Sequence, residues 1–149
     1  MKIGELCNRV VIYVHEDESV RRVTEIMRRY HVGNVVVTQF GDKEQRPVGM
    51  VTDRDVVVEV IAQGVDPDET TAGDIMSEKL LIVREDEEVM DVVEAMRKKG
   101  IRRVPVVDVG GSLVGVVALD DLLQLFASGL SAMADIVGTQ RYQEARLRA

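Results

Sequence analysis

Thiol and imidazole groups are nearly absent from this chain. Cys7 is the single cysteine among 149 residues, and only His15 and His31 stand beside it as possible soft ligands. An intramolecular disulfide is therefore impossible, and a thiolate or imidazole metal site has almost nothing to draw on. The same three residues lack companions for a catalytic set and are read as structural. Aromatic residues make up 3% of the chain, and tryptophan is missing. Cations are in deficit, 19 against 26 acidic residues, for a net charge of −7 and an isoelectric point near 4.9. Coating of nucleic acid needs many cations to release counterions, so that class is excluded, although a local basic pocket is not. No apolar run approaches the roughly 18 residues of a membrane span, and the first residues lack a signal-peptide core. The expectation is a cytoplasmic protein without a membrane span.

What the chain has is valine and a repeat. Residues are 46% hydrophobic and 30% charged, a globular balance whose valine-rich runs point to buried strands. Residues 14–38 match 83–107 at an offset of 69 (14 to 83): Glu16-Asp17-Glu18 returns as Glu85-Asp86-Glu87, and Val14, Val20, Val23, Glu25, Met27, Arg28, Val35 and Val37 have identical counterparts. Beyond them the offset falls to 66, where Gly49, Val51 and Asp55 match Gly115, Val117 and Asp121. The change falls between the turn-rich stretches 39–46 and 108–112, where insertions are tolerated.

Each copy predicts the order β-α-β-β-α. Strands are expected near 10–14 and 80–84, followed by helices capped by Ser19 and by Asp86. Val20, Val23, Met27 and Tyr30, then Val89, Val92, Val93 and Met96, predict their buried faces. Gly100 suits a left-handed helix stop. Hairpins follow at 34–39 with 47–51 and at 103–108 with 113–117, the second turning at Gly110-Gly111. Last helices start near Asp53 and Leu119. The boundaries read as repeat one 1–64, a polar linker 65–71, repeat two 72–127 and a helical extension 128–149. A single copy is too small to bury a core comfortably, so the two should pack together.

The doubled pattern resembles the cystathionine-β-synthase (CBS) domain pair, or Bateman module, over about residues 1–127. Gly49-Met50-Val51-Thr52-Asp53-Arg54-Asp55, Ile101 to Asp108, and Gly115-Val116-Val117-Ala118-Leu119-Asp120-Asp121 carry the resemblance. It implies an α/β (α+β) fold of tandem repeats packed with pseudo-twofold symmetry, and modules that pair into a disc-like homodimer.

Read physically, Gly49 to Asp55 is a strand end entering a helix, where unpaired N–H groups favour phosphate. Thr52 puts a hydroxyl at that mouth, and the carboxylate of Asp55 can accept from two vicinal ribose hydroxyls. Such a pattern serves equally as a helix cap. The family resemblance assigns the hydroxyl to phosphate and the aspartate to ribose. In copy two Ala118 replaces the hydroxyl while Asp121 is retained, so the two clefts should be unequal. Arg102 and Arg103 open the second hairpin, either as an anion site or as a solvated helix end. Arg54 is a further candidate cation. By resemblance, Val51, Met76, Leu81 and Ile101 supply apolar walls for adenine.

The resulting expectation is a regulatory sensor, not an enzyme, with no metal and no required cofactor. Its ligand would be an adenosine-containing molecule (AMP, ADP, ATP, S-adenosylmethionine or NAD), and its other partners a second copy and an unidentified regulated protein. The rival reading is a ligand-free interaction and dimerisation module with vestigial clefts. An enzyme using Asp53, Asp55, Asp120 and Asp121 on a metal lacks a neighbouring base. In the tail, Leu130, Met133, Ile136 and Val137 form a short apolar face ahead of Arg141, Arg146 and Arg148, which predicts an extra helix that packs on the module or a partner.

Overall fold

Continuous buried runs rich in valine at 35–38 and 104–107 of the two repeats, each following an acidic helix start, underlie the architecture. The computed structural model describes residues 1–39, 43–77 and 79–148, and it divides into Met1–Val117 and Ala118–Ala149. The first unit holds two three-stranded sheets, β1-β2-β3 and β4-β5-β6, one from each copy. The strands are β1 Tyr13–His15, β2 Asn34–Thr38, β3 Pro47–Thr52, β4 Val83–Arg84, β5 Arg103–Val107 and β6 Leu113–Ala118. In each sheet the short first strand runs parallel to the second, as Val14 opposite Val37 and Val83 opposite Val106 show. The hairpin partner β3 is antiparallel to β2, with Val35 opposite Val51. Residues 40–42, part of the expected turn, lie outside the described residues.

Helix α2 (Val20–Tyr30) starts at Ser19, whose side chain accepts from the Arg22 N–H, and stops at His31 in the left-handed region. Gly100 takes the same conformation after α5 (Val89–Lys99). Val20, Val23 and Met27 are buried, but Tyr30, the last residue of α2, is half exposed. The second helix has Glu88, not Asp86, at its N-cap, the repeat position of Ser19 after an equally long turn. Glu88 makes no side-chain cap there; the Glu87 carboxylate accepts from the Arg84 N–H. After β3, helix α3 (Asp53–Asp55) opens into a π-helical stretch, Val56–Ile61, which buries Val56 and Val60. The first repeat's core joins these two to Val14, Val20, Val23, Met27, Val35, Val37 and Val51.

Sequence reading missed two short arms. Helix α1 (Ile3–Leu6) and helix α4 (Ala72–Ile75) each precede one repeat and close the other. The Asn8 N–H donates to the Val116 carbonyl at 2.9 Å and the Gly4 N–H to Glu85, so the first arm completes the second sheet. The Ser77 N–H donates to Met50 and the Gly73 N–H to Glu16, so the second arm completes the first. Ile3 and Ala72 are fully buried. Glycine makes the approach possible: a Cβ at Gly49 would lie 2.5 Å from Met76 Sδ, and one at Gly115 would lie 2.5 Å from Cys7 Sγ.

The second unit is helical. The expected separate tail helix is instead continuous with the last helix of repeat two, as α6 (Leu119–Arg148), 30 residues long. Nothing in the stretch after Leu119 breaks it, because Gly129 and Gly138 are tolerated inside a long helix. It also corrects the expectation about apolar runs: one 18-residue window of α6 has a mean hydropathy of 1.3, which is long and apolar enough for a span by composition alone.

Candidate functional site

At the end of β3, Thr52 and Asp55 form a reciprocal cap. The Asp55 N–H donates to Thr52 Oγ1 at 3.1 Å, and the Thr52 N–H donates to Asp55 Oδ2 at 2.8 Å. Both residues thus fix the angle at which the chain turns from strand to helix. The Thr52 hydroxyl accepts in this cap and keeps its own proton to donate. One oxygen of Asp55 is committed to the backbone. The same backbone-to-carboxylate bond recurs in copy two, where the Ala118 N–H donates to Asp121 Oδ2 at 3.0 Å, but no hydroxyl answers it.

Beside Thr52 opens a cleft of about 560 Å³, within the range of small-molecule sites, roughly 300–1,000 Å³. Both copies contribute: Asn34, Met50, Thr52, Asp53 and Arg54 from the first, and Ser77 to Leu81 (Glu78 aside) and Gly100 to Arg103 from the second arm and second repeat. Six of the sequence candidates meet here, namely Thr52, Arg54, Leu81, Ile101, Arg102 and Arg103. Four do not line it. Val51 is fully buried in the first core, since its side chain points to the opposite face of β3 from Met50. Met76 packs over Gly49, Asp55 turns back into its cap, and Asp121 belongs to the helical unit. Sequence reasoning missed Met50, Asn34, Ser77, Lys79 and Leu80. Alternation along β3 pointed to Met50, but residues 77–80 reach the cleft only through the crossed arm.

The lining is strongly basic for an acidic chain. Among the described lining residues, Arg54, Lys79, Arg102 and Arg103 are basic and Asp53 is the one acid. The Arg54 N–H donates to the Asp53 carboxylate at 2.8 Å, which holds that acid against its own helix start. Arg54, Lys79 and Arg103 make no salt bridge among the described residues, whereas Arg9, Arg21, Arg22, Arg84 and Arg97 are each paired with a carboxylate. Four exposed cations gathered at one cleft attract an anion. Met50, Leu80, Leu81 and Ile101 give the same cleft apolar surface suited to a flat base.

Comparison with known proteins now bears on the doubled fold and its shared cleft. The CBS domain family matches residues 3–62 and 72–128. The chain belongs to the CBS domain family. It is 41% identical over 125 residues to the uncharacterized protein MK0525 of Methanopyrus kandleri, covering 84% of this chain and 62% of that protein. The chain thus spans less than two thirds of that relative. It is 31% identical to hypoxic response protein 1 of Mycobacterium tuberculosis over 79% of this chain and 80% of that one. Among solved structures, the CBS domain protein PAE2072 from Pyrobaculum aerophilum, complexed with AMP, matches with a TM-score of 0.73 at 32% identity, over 82% of this chain and 90% of that one. The CBS domain pair of protein MJ0100, in complex with 5'-methylthioadenosine and S-adenosyl-L-methionine, matches with a TM-score of 0.73 at 26% identity, over 87% and 98%. Fold and repeat organisation therefore stand as a tandem CBS pair.

Within that pair the cations are unequally shared. By repeat position, Lys79, Arg102 and Arg103 correspond to Val10, Gly33 and Asn34 at the offset of 69, and Arg54 corresponds to Asp120 at the offset of 66. Every basic lining residue of the described cleft has a neutral or acidic counterpart.

Proposed function

We propose that this CBS pair is a regulatory module that binds a phosphate-bearing adenosine nucleotide in the cleft between its repeats and passes the change to a partner or dimer interface. The observation that carries the reading is the set of four cations around one partly apolar cleft in a chain of net charge −7. The AMP complex of a neighbour supports the ligand class. S-adenosylmethionine brings a sulfonium and an ammonium, which the cations at this cleft disfavour, so AMP, ADP or ATP fits better. In this reading the phosphate lies against Arg54, Lys79, Arg102 and Arg103, with the Thr52 hydroxyl donating to it. Asp55, outside the cleft lining but joined to Thr52 through their cap, extends the site to the ribose hydroxyls with the oxygen that cap does not use. The module performs no chemistry of its own, and the nucleotide acts only by its different affinity for two states.

A second reading, an interaction module with vestigial clefts, draws on the mutual satisfaction of Thr52 and Asp55, which gives both a purely structural reason to be present. Titration calorimetry with AMP, ADP, ATP and S-adenosylmethionine separates the two. The sensor reading expects phosphate-bearing ligands to bind, more weakly as salt rises, and to raise the Tm by roughly 5–10 °C at a hundredfold excess over Kd. Arg102→Ala should weaken ATP more than adenosine. Asp55→Asn keeps an acceptor for the Thr52 N–H while removing the charge, so it should weaken binding with little loss of Tm. No binding by any adenosine compound leaves the interaction module.

A further inference from the structure

Helix α6 carries an apolar seam that nothing in the chain explains. Leu119, Leu123, Phe126, Leu130, Met133 and Val137 follow one another at alternating steps of four and three, the 3.5-residue period of helices that coil around a partner. All six are exposed, Leu130 by 67% and Met133 by 63%. Leu122 is the one buried residue among the described residues of this 30-residue helix, so most of its length lacks the packed face that ordinarily holds a helix together. Ala127, Gly129 and Ala134 flank the seam and leave room for a second backbone to come close.

We propose that α6 is a self-association element, pairing with α6 of a second copy in antiparallel fashion about an axis near Ser128. Reversal about that point sets Leu119 against Val137, Leu123 against Met133 and Phe126 against Leu130, so every apolar side chain in the seam meets another. Charge selects the direction. The helix begins with Asp120 and Asp121 and ends with Arg141, Arg146 and Arg148. Parallel pairing sets Asp120, Asp121 and Asp135 each against its own copy and gathers the arginines. Antiparallel pairing opposes the two helix dipoles and carries Arg141 towards the other copy's Asp120 and Asp121, which offsets the approach of Asp135 to Asp121. A lipid bilayer is the poorer occupant, because every 18-residue stretch of α6 contains Asp135, a carboxylate that hydrocarbon would have to accommodate.

Sedimentation equilibrium and disulfide trapping on the full chain test this. The wild type should have a multiple of the 16.6 kDa chain mass at tens of micromolar, and Leu130→Asp should halve it. Oxidation should link Leu123→Cys/Met133→Cys across two chains, while Leu123→Cys alone stays unlinked; the trap needs no disruptive substitution, and buried Cys7 is common to both samples. Linking by the single variant means a parallel pair and overturns the geometry. A monomeric wild type, or a mass unmoved by Leu130→Asp, overturns the element itself. A monomer that floats with phosphatidylcholine–phosphatidylserine vesicles transfers the helix to a membrane role. ATP binding, measured on the same samples, reports separately on the nucleotide cleft.

Discussion

At the scale of single residues, Gly49 and Gly115 matter for what they lack. Each lies under a sulfur-bearing side chain of a crossed arm, Met76 and Cys7 respectively. At Gly115 an added Cβ meets Cys7 Sγ at 2.5 Å and also the Asn8 carbonyl and Cys7 Cβ, both at 3.1 Å, so rotating the thiol away relieves only part of the clash. Overpacking of this kind costs about 1–3 kcal/mol. Gly115→Ala should therefore lower the Tm by several degrees, and Cys7→Ala should recover part of that loss in the double variant, a coupling that thermal melts of the four proteins would read directly. A fully stable Gly115→Ala would mean that the arm does not lie on β6. The same contact explains the burial of Cys7, whose thiol is pushed above its ordinary pKa chiefly by desolvation. Its place is in packing, away from any reactive site.

Among the elements, the two arms are alike in backbone and unlike in charge. Glu88, opposite Lys2, accepts from the Lys2 ammonium at 2.6 Å, and the N-terminal amine lies 3.2 Å from its other oxygen. The Lys2 hydrogen bond, then that amine, hold the Glu88 carboxyl below its ordinary 4.5. A depressed carboxyl favours the folded state above the unfolded pKa, and that contribution disappears as pH falls through the folded value. Both side chains are about half exposed and screened by solvent, so the effect is local. Below pH 4.5, hydrogen exchange corrected for intrinsic rates should show residues 3–8 losing protection before 72–77, whose bridge joins uncharged Ser19 and Thr71. Glu88→Gln should flatten the difference. The arms also mark how far the sequence was legible. Helices α2 and α5 and both hairpins were readable because their apolar periods are local. The arms were not, since a four-residue helix is too short to show a period. Yet the offset of 69 continues backwards through Gly4 and Gly73, Glu5 and Asp74, and Leu6 and Ile75, a signal that was there to find. The cleft was half legible for the same reason: Thr52, Arg54, Ile101, Arg102 and Arg103 sit at recognisable motif positions, while Ser77, Lys79 and Leu80 arrive by tertiary crossing and Asn34 by pairing with Thr52 across the first sheet. Val51 was misplaced as a wall because β3 alternates, and it is Met50 that faces the cleft.

For the whole molecule, the crossed arms mean that sequence repeat and structural unit are not the same segment. The first sheet is completed by residues 71–77, and the second by 2–8. A fragment of residues 9–77, which carries the first repeat with the arm that closes it, should therefore be better protected and more helical than one of residues 1–69, although the two are equal in length. Equal circular dichroism and exchange would contradict the exchange of arms. The crossing also sets a timetable during synthesis. Residues 2–8 leave the ribosome well before their place on β6 exists, since residues 113–116 follow more than a hundred positions later. Translation must carry a buried isoleucine, Ile3, unsheltered for nearly the whole of that interval. Slower elongation through the second repeat would lengthen that exposure, which makes the segment around Ile3 the place where chaperone binding should concentrate.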